Sequence, residues 1–92
     1  MHQSAAYHRF TDDDGDTITT APALLVAVNF SGASGASYAV IYHGTVAGGV
    51  VALQIFAAAG TTATFTPASP VALPNGLAAY CAADGDLTVI YA

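Results

Sequence analysis

From residue 18 to the end, apolar and polar residues alternate with a period of two, in short runs broken by Gly, Ser, Pro and Asn. Alternation sends successive side chains to opposite faces of an extended chain, so each run reads as a strand with one buried face. In residues 24–30, Leu24, Val26, Val28 and Phe30 share one face, and Leu25, Ala27 and Asn29 share the other. Tyr38, Val40 and Tyr42 then alternate with Ala39, Ile41 and His43, and a glycine-rich turn through Gly44, Gly48 and Gly49 leads into a returning strand over residues 50–56. Residues 61–66 set Ala63 and Phe65 against Thr62, Thr64 and Thr66, a threonine ladder suited to a solvent face. Residues 77–82 and 87–91 flank Asp84-Gly85-Asp86, and Asp-Gly between alternating runs predicts a hairpin.

Other segments depart from simple alternation. Residues 50–56 are apolar on both faces, with Val51, Leu53 and Ile55 on one and Val50, Ala52 and Phe56 on the other, and Gln54 alone is polar. A strand apolar on both sides needs cover on both, so its second face is expected to meet an arm, a loop or a neighbouring subunit. Pro67, Pro70 and Pro74 exclude a central strand and predict an extended crossing loop that ends in the Pro74-Asn75-Gly76 turn. The repeated Gly-Ala-Ser of residues 32–37 predicts a flexible turn. Residues 1–17 show no sustained period and read as an N-terminal arm or irregular lead-in, with residues 18–92 as one domain. The pattern predicts an all-β chain, a small antiparallel β-sandwich, jelly-roll-like, of six or seven strands.

Charge changes this picture more than length does. Only 8% of the 92 residues are charged, and no Lys or Glu occurs. Arg9 and six aspartates (Asp12, Asp13, Asp14, Asp16, Asp84 and Asp86) are the whole complement, so residues 17–83 carry no formal charge. Soluble domains average about a quarter charged residues, and interspersed charge keeps surfaces apart. A surface without it is economically explained by cover from another molecule, which points to an assembly protein. A net charge of −5 with a single arginine excludes nucleic acid and anionic membranes as partners, since both are held through several cations.

The mean hydropathy of +0.56 raises the question of a membrane span. A spanning helix needs roughly 20 consecutive apolar residues, and the best candidate, residues 46–59, contains Gly48, Gly49 and Gln54. Residues 1–9 hold no apolar core of a signal peptide, so synthesis and assembly in a cytoplasm are expected. Cys81 stands alone, in phase with Leu77 and Ala79, and reads as a buried, inert thiol.

No residue set converges on catalysis or cofactor binding. Asp12, Asp14 and Asp16 imitate the start of a calcium loop, but Thr17 stands where glycine is needed and Ala23 where a bidentate glutamate is needed. His2, His8 and His43 match no zinc spacing, and His43 beside Gly44 suits the mouth of a hairpin. Ser34 lacks the nucleophile elbow, and the two groups of aspartates flank the uncharged region rather than a shared cleft. The chain is therefore expected to be non-enzymatic and to hold no metal or cofactor. Phe30, Phe56 and Phe65 read as core or interface anchors. Tyr38, Tyr42, Tyr80 and Tyr91 lie on strands where a ring can be buried while its hydroxyl stays wet.

The Ala/Gly/Thr/Val-rich strands, Ala57-Ala58-Ala59-Gly60-Thr61-Thr62, Pro74-Asn75-Gly76-Leu77 and the terminal Asp84-Gly85-Asp86-Leu87-Thr88-Val89-Ile90-Tyr91 together resemble the small β-sandwich head decoration, or cement, proteins of tailed bacteriophages. The resemblance is one of texture and layout over about three quarters of the chain. It implies a structural protein of the virion exterior that binds the major capsid protein, stabilises capsomer contacts and forms a homo-oligomer, often a trimer. On that reading residues 1–17 form the contact arm. Tyr7, Arg9, Phe10, Asp12 and Asp14 there, with Val51, Leu53 and Ile55 of the two-sided strand, are the candidate interface residues. The alternative is a head-fibre, tail-tip or receptor-binding knob module.

Overall fold

The computed structural model describes residues 6–11, 14–32, 37–45, 48–82 and 85–92. Among these described residues nine strands run in chain order: β1 (Ala6–Thr11), β2 (Asp14–Thr19), β3 (Ala23–Ser31), β4 (Ser37–His43), β5 (Val50–Ala57), β6 (Thr62–Phe65), β7 (Val71–Leu73), β8 (Leu77–Cys81) and β9 (Asp86–Tyr91). One sheet has the order β1-β9-β3-β6, with β7 also paired to β3, and the other has the order β2-β8-β4-β5. All these strand pairings are antiparallel. These are the strand orders of a jelly roll in which one position is divided between β6 and β7.

The count exceeds the expected six or seven because β1, β2 and β7 were not legible as strands. Residues 6–11 and 14–17 are not an irregular lead-in. β1 pairs along its whole length with β9, and β2 pairs with β8. Phe10 is 1% exposed in the core, so β1 cannot be detached from the sandwich without emptying part of it. β7 occupies three residues between Pro70 and Pro74 at a sheet margin, the position proline tolerates. Much of the expected Gly-Ala-Ser turn, residues 33–36, lies outside the described residues.

The core joins Phe10, Leu25, Val28, Phe30, Leu87 and Val89 of the first sheet to Ala39, Ile41, Leu77, Ala79 and Cys81 of the second. Cys81 is fully buried on the face of Leu77 and Ala79, as its phase predicts. Ser37 is the buried polar residue among those described, and its hydroxyl donates to the Ala82 carbonyl at 2.6 Å. That bond satisfies a group that would otherwise cost about 1–3 kcal/mol. The threonine ladder is also present: Ala63 and Phe65 pack toward the core, Thr62 and Thr64 are exposed, and the Ser31 and Thr62 hydroxyls bond at 2.9 Å.

Two bulges reverse faces that strict alternation assigns. In β3, Leu25 pairs with Tyr91 and Ala27 with Ile90, so Val26 is the extra residue. Leu25, not Leu24 or Val26, therefore joins Val28 and Phe30 in the core. In β5, Leu53 pairs with Ile41 and Val51 with Tyr42, so Ala52 is the extra residue. Val51 thereby leaves the face of Leu53 and Ile55 and joins that of Phe56.

The expected hairpin between β8 and β9 does not form, because the two strands belong to different sheets. Gly85 sits where the chain passes between the sheets, and a β-carbon there would come within 2.5 Å of the Phe30 ring and 3.0 Å of the Cys81 sulfur. Glycine serves close approach here rather than a hairpin conformation. The true β4–β5 hairpin falls where expected, with His43 opposite Val50. His43 Nε2 accepts the Asn75 N–H at 3.0 Å and so ties this hairpin to the turn before β8.

If β1 is structural, Phe10→Ala is expected to cost about 3–5 kcal/mol from a total of about 5–14 kcal/mol for a chain of this length. Urea denaturation followed by circular dichroism measures the loss, and an unchanged midpoint would return residues 6–11 to the status of an arm.

Candidate interaction surface

The outer faces of the two sheets differ in chemistry. On the first sheet, Arg9, Asp86, Thr88, Asn29, Thr62 and Thr64 form a polar surface by register. On the second, the register brings together Tyr80 and Ala78 of β8, Tyr38, Val40 and Tyr42 of β4, and Phe56, Gln54 and Val51 of β5. This face carries no charged side chain on those three strands. Phe56 is 65% exposed, Val51 55% and Tyr38 39%.

The rings form a cluster rather than a flat platform. Tyr38 lies 6.2 Å from Phe56 at an interplanar angle of 45°, and 6.4 Å from Tyr80 at 54°. Tilted pairs at such spacings suit the quadrupoles of aromatic rings. Val40, cross-strand from Tyr80 and Gln54, is buried although it lies on an outer face. The Tyr80 ring extends over Gly15 of β2, where a β-carbon would come within 2.8 Å of Tyr80 Cδ1. Glycine at the edge strand thus makes room for the ring.

The expected interface residues separate into distinct groups. Tyr7 is exposed on the outer face of the first sheet, Asp14 is exposed on β2, and Val51 belongs to the aromatic face. Phe10 is buried, and Leu53 and Ile55 pack against the core, so these three stabilise the sandwich instead of presenting a surface. Asp12 lies outside the described residues. Sequence reasoning singled out Tyr38, Tyr42, Tyr80 and Phe56 as aromatic strand residues but did not unite them, since their union depends on which strands are neighbours.

Arg9 is engaged within its own chain. Its Nε donates to Asp86 Oδ1 at 3.0 Å and its Nη2 to Asp86 Oδ2 at 2.7 Å, a bidentate pair. The hydrogen bond from Arg9 is the largest influence and, with the lesser help of the Arg9 charge, outweighs the opposing desolvation and holds the Asp86 carboxyl below its ordinary range. The same bond raises Arg9. Both side chains are largely exposed, at 62% and 44%, so solvent and salt weaken the pair.

An apolar groove of about 320 Å³ opens between the start of β3 and β7, lined by Pro22, Leu24, Leu73, Pro74 and Ala92. It contains no titratable side chain. Among the described residues no three His, Cys, Asp or Glu side chains gather as a metal site, and no helix is long and apolar enough to cross a membrane.

A depressed Asp86 pKa contributes stability above the unfolded value near 4, and that contribution is lost as pH falls through the lower folded value. Arg9→Ala is therefore expected to melt slightly below the unsubstituted protein at about pH 7, with the gap closing at an acid pH below the lowered Asp86 value. Thermal melts at the two pH values and at raised salt measure this. Gly15→Ala is expected to displace the Tyr80 ring and cost about 1–3 kcal/mol, read from near-ultraviolet circular dichroism and denaturation; an unaltered tyrosine signal would place the ring elsewhere.

No family model matches this sequence, and no curated protein does. Among solved structures, the one described as "Crystal structure of PirA" is similar over 99% of this chain and 97% of its own, with a TM-score of 0.58 and 17% sequence identity. At that identity the similarity concerns the fold alone.

Proposed function

We propose that this protein is a non-enzymatic virion structural protein, a capsid decoration or cement protein that docks on the outside of a phage head and stabilises contacts between capsomers. The observation that carries the reading is the uncharged outer face of β8, β4 and β5, where Val51, Tyr38 and Phe56 expose large apolar area. Exposed contiguous apolar patches mark interaction surfaces, and aromatic residues dominate the energetics of such contacts. The scarcity of charge on the whole chain supports the same reading. So does the resemblance of its strands and turns to decoration proteins.

This changes the expected mode of docking. The contact moves from residues 1–17 to the aromatic face, since β1 and β2 are parts of the two sheets and Arg9 is paired with Asp86. A receptor-binding or fibre module would draw on the same rings, and it differs in binding a host surface instead of the major capsid protein.

Heads lacking the protein, mixed with the purified chain and sedimented, test the proposal. Saturable binding to heads is expected, with Tyr38→Ala and Phe56→Ala each weakening it roughly tenfold or more while the melting temperature stays near that of the unsubstituted protein. Binding to host cells but not to heads would favour the alternative. Binding to neither would overturn both.

A further inference from the structure

The margins of the two sheets are protected unequally. An edge strand offers unpaired N–H and C=O groups to any second strand, and proteins block such edges with charge, proline, bulges or short length. In the first sheet, β1 carries Arg9, and the opposite margin is divided into the short β6 and β7, bordered by Pro67, Pro70 and Pro74. In the second sheet, β2 carries Asp14 and Asp16, and its register shifts at Ile18. β5 is different. It is eight residues long, holds no charge and no proline, and its bulge at Ala52 leaves residues 53–57 in regular register with β4.

We propose that β5 is a self-pairing edge, at which two copies of this chain join antiparallel about a two-fold axis to make one continuous eight-stranded sheet. The distribution of charge permits a second copy at this edge. At a net charge of −5, two copies repel, yet β5 lies three strands from Asp14 and Asp16 in the order β2-β8-β4-β5. At about 4.8 Å per strand that is about 14 Å, beyond the screening length of about 8 Å in physiological salt. Edge-to-edge approach through β5 therefore keeps those aspartates far apart.

The pleat restricts the register. Opposed residues in an antiparallel pair share a face, and a one-residue slip inverts every side chain. An axis passing through Gln54 or Ile55 keeps Leu53 and Ile55 of both copies on the core side, and Gln54 and Phe56 of both on the outer side. The aromatic faces of the two copies then become one surface, twice as wide. The pair is a two-fold dimer, unlike the trimer that the resemblance to decoration proteins implies. It needs no capsid protein, so its success or failure is read independently of head binding.

One paired strand from each copy is a small interface, so association depends on concentration. Sedimentation equilibrium on the full chain, up to about 1 mM, is expected to approach twice the 9.2 kDa chain mass. Gln54 is exposed, so charge at this position leaves folding intact while putting like charges beside the axis. Gln54→Lys and Gln54→Glu are each expected to sediment as single copies, and an equimolar mixture of the two to recover the doubled mass. A single-copy mass for the unsubstituted chain throughout would overturn the proposal, as would a trimer. A dimer indifferent to both substitutions would place the contact elsewhere and overturn it equally.

Discussion

The contact on which the rest of the structure depends is the approach of Gly85 to the Phe30 ring and the Cys81 sulfur. At this point the chain leaves β8 in one sheet and enters β9 in the other, and a side chain larger than hydrogen has no room. β8 and β9 are each interior to their sheets, with β9 between β1 and β3 and β8 between β2 and β4. The crossing closes directly against the Phe30 ring in the core. β9 and β8 are also the strands on which β1 and β2 pair. Both layers meet at one ring in a core that, like all protein interiors, tolerates little empty volume.

From that packing follows an unequal division of surface. β9, β3 and β6 turn threonine, serine and asparagine outward, and Arg9 with Asp86 closes a bidentate pair across β1 and β9. β8, β4 and β5 instead turn tyrosine, phenylalanine and valine outward. Hydration is readily satisfied on the first face and poorly on the second, so association would lower the free energy of the second more. The proposed docking surface and the proposed self-pairing edge are adjacent, because β5 contributes to both.

The strands with large apolar faces were legible in order: β3, β4, β5, β6, β8 and β9 all lie where alternation puts them, and the inward phase of Cys81 is correct. β1 and β2 were not legible, because edge strands bury little. Phe10 is the fully buried side chain of β1, and β2 carries two aspartates on the register positions of Cys81 and Ala79. β7 was hidden by the prolines that delimit it. The aromatic face was visible only as separate tyrosines and phenylalanines.

By itself the sequence determined the strand-forming segments, the glycine and proline turns, the all-β class and the near absence of surface charge, since each follows from residues close together in the chain. The tertiary structure alone decided which strands share a sheet, that β8 and β9 are joined by a crossing between sheets instead of a hairpin, and that Leu25 faces inward while Val51 faces outward. The physical reason is that alternation describes a strand in isolation. A bulge or a crossing is set by the partner strand, through hydrogen-bond register and the fit of side chains such as Phe30 against residues far away in sequence.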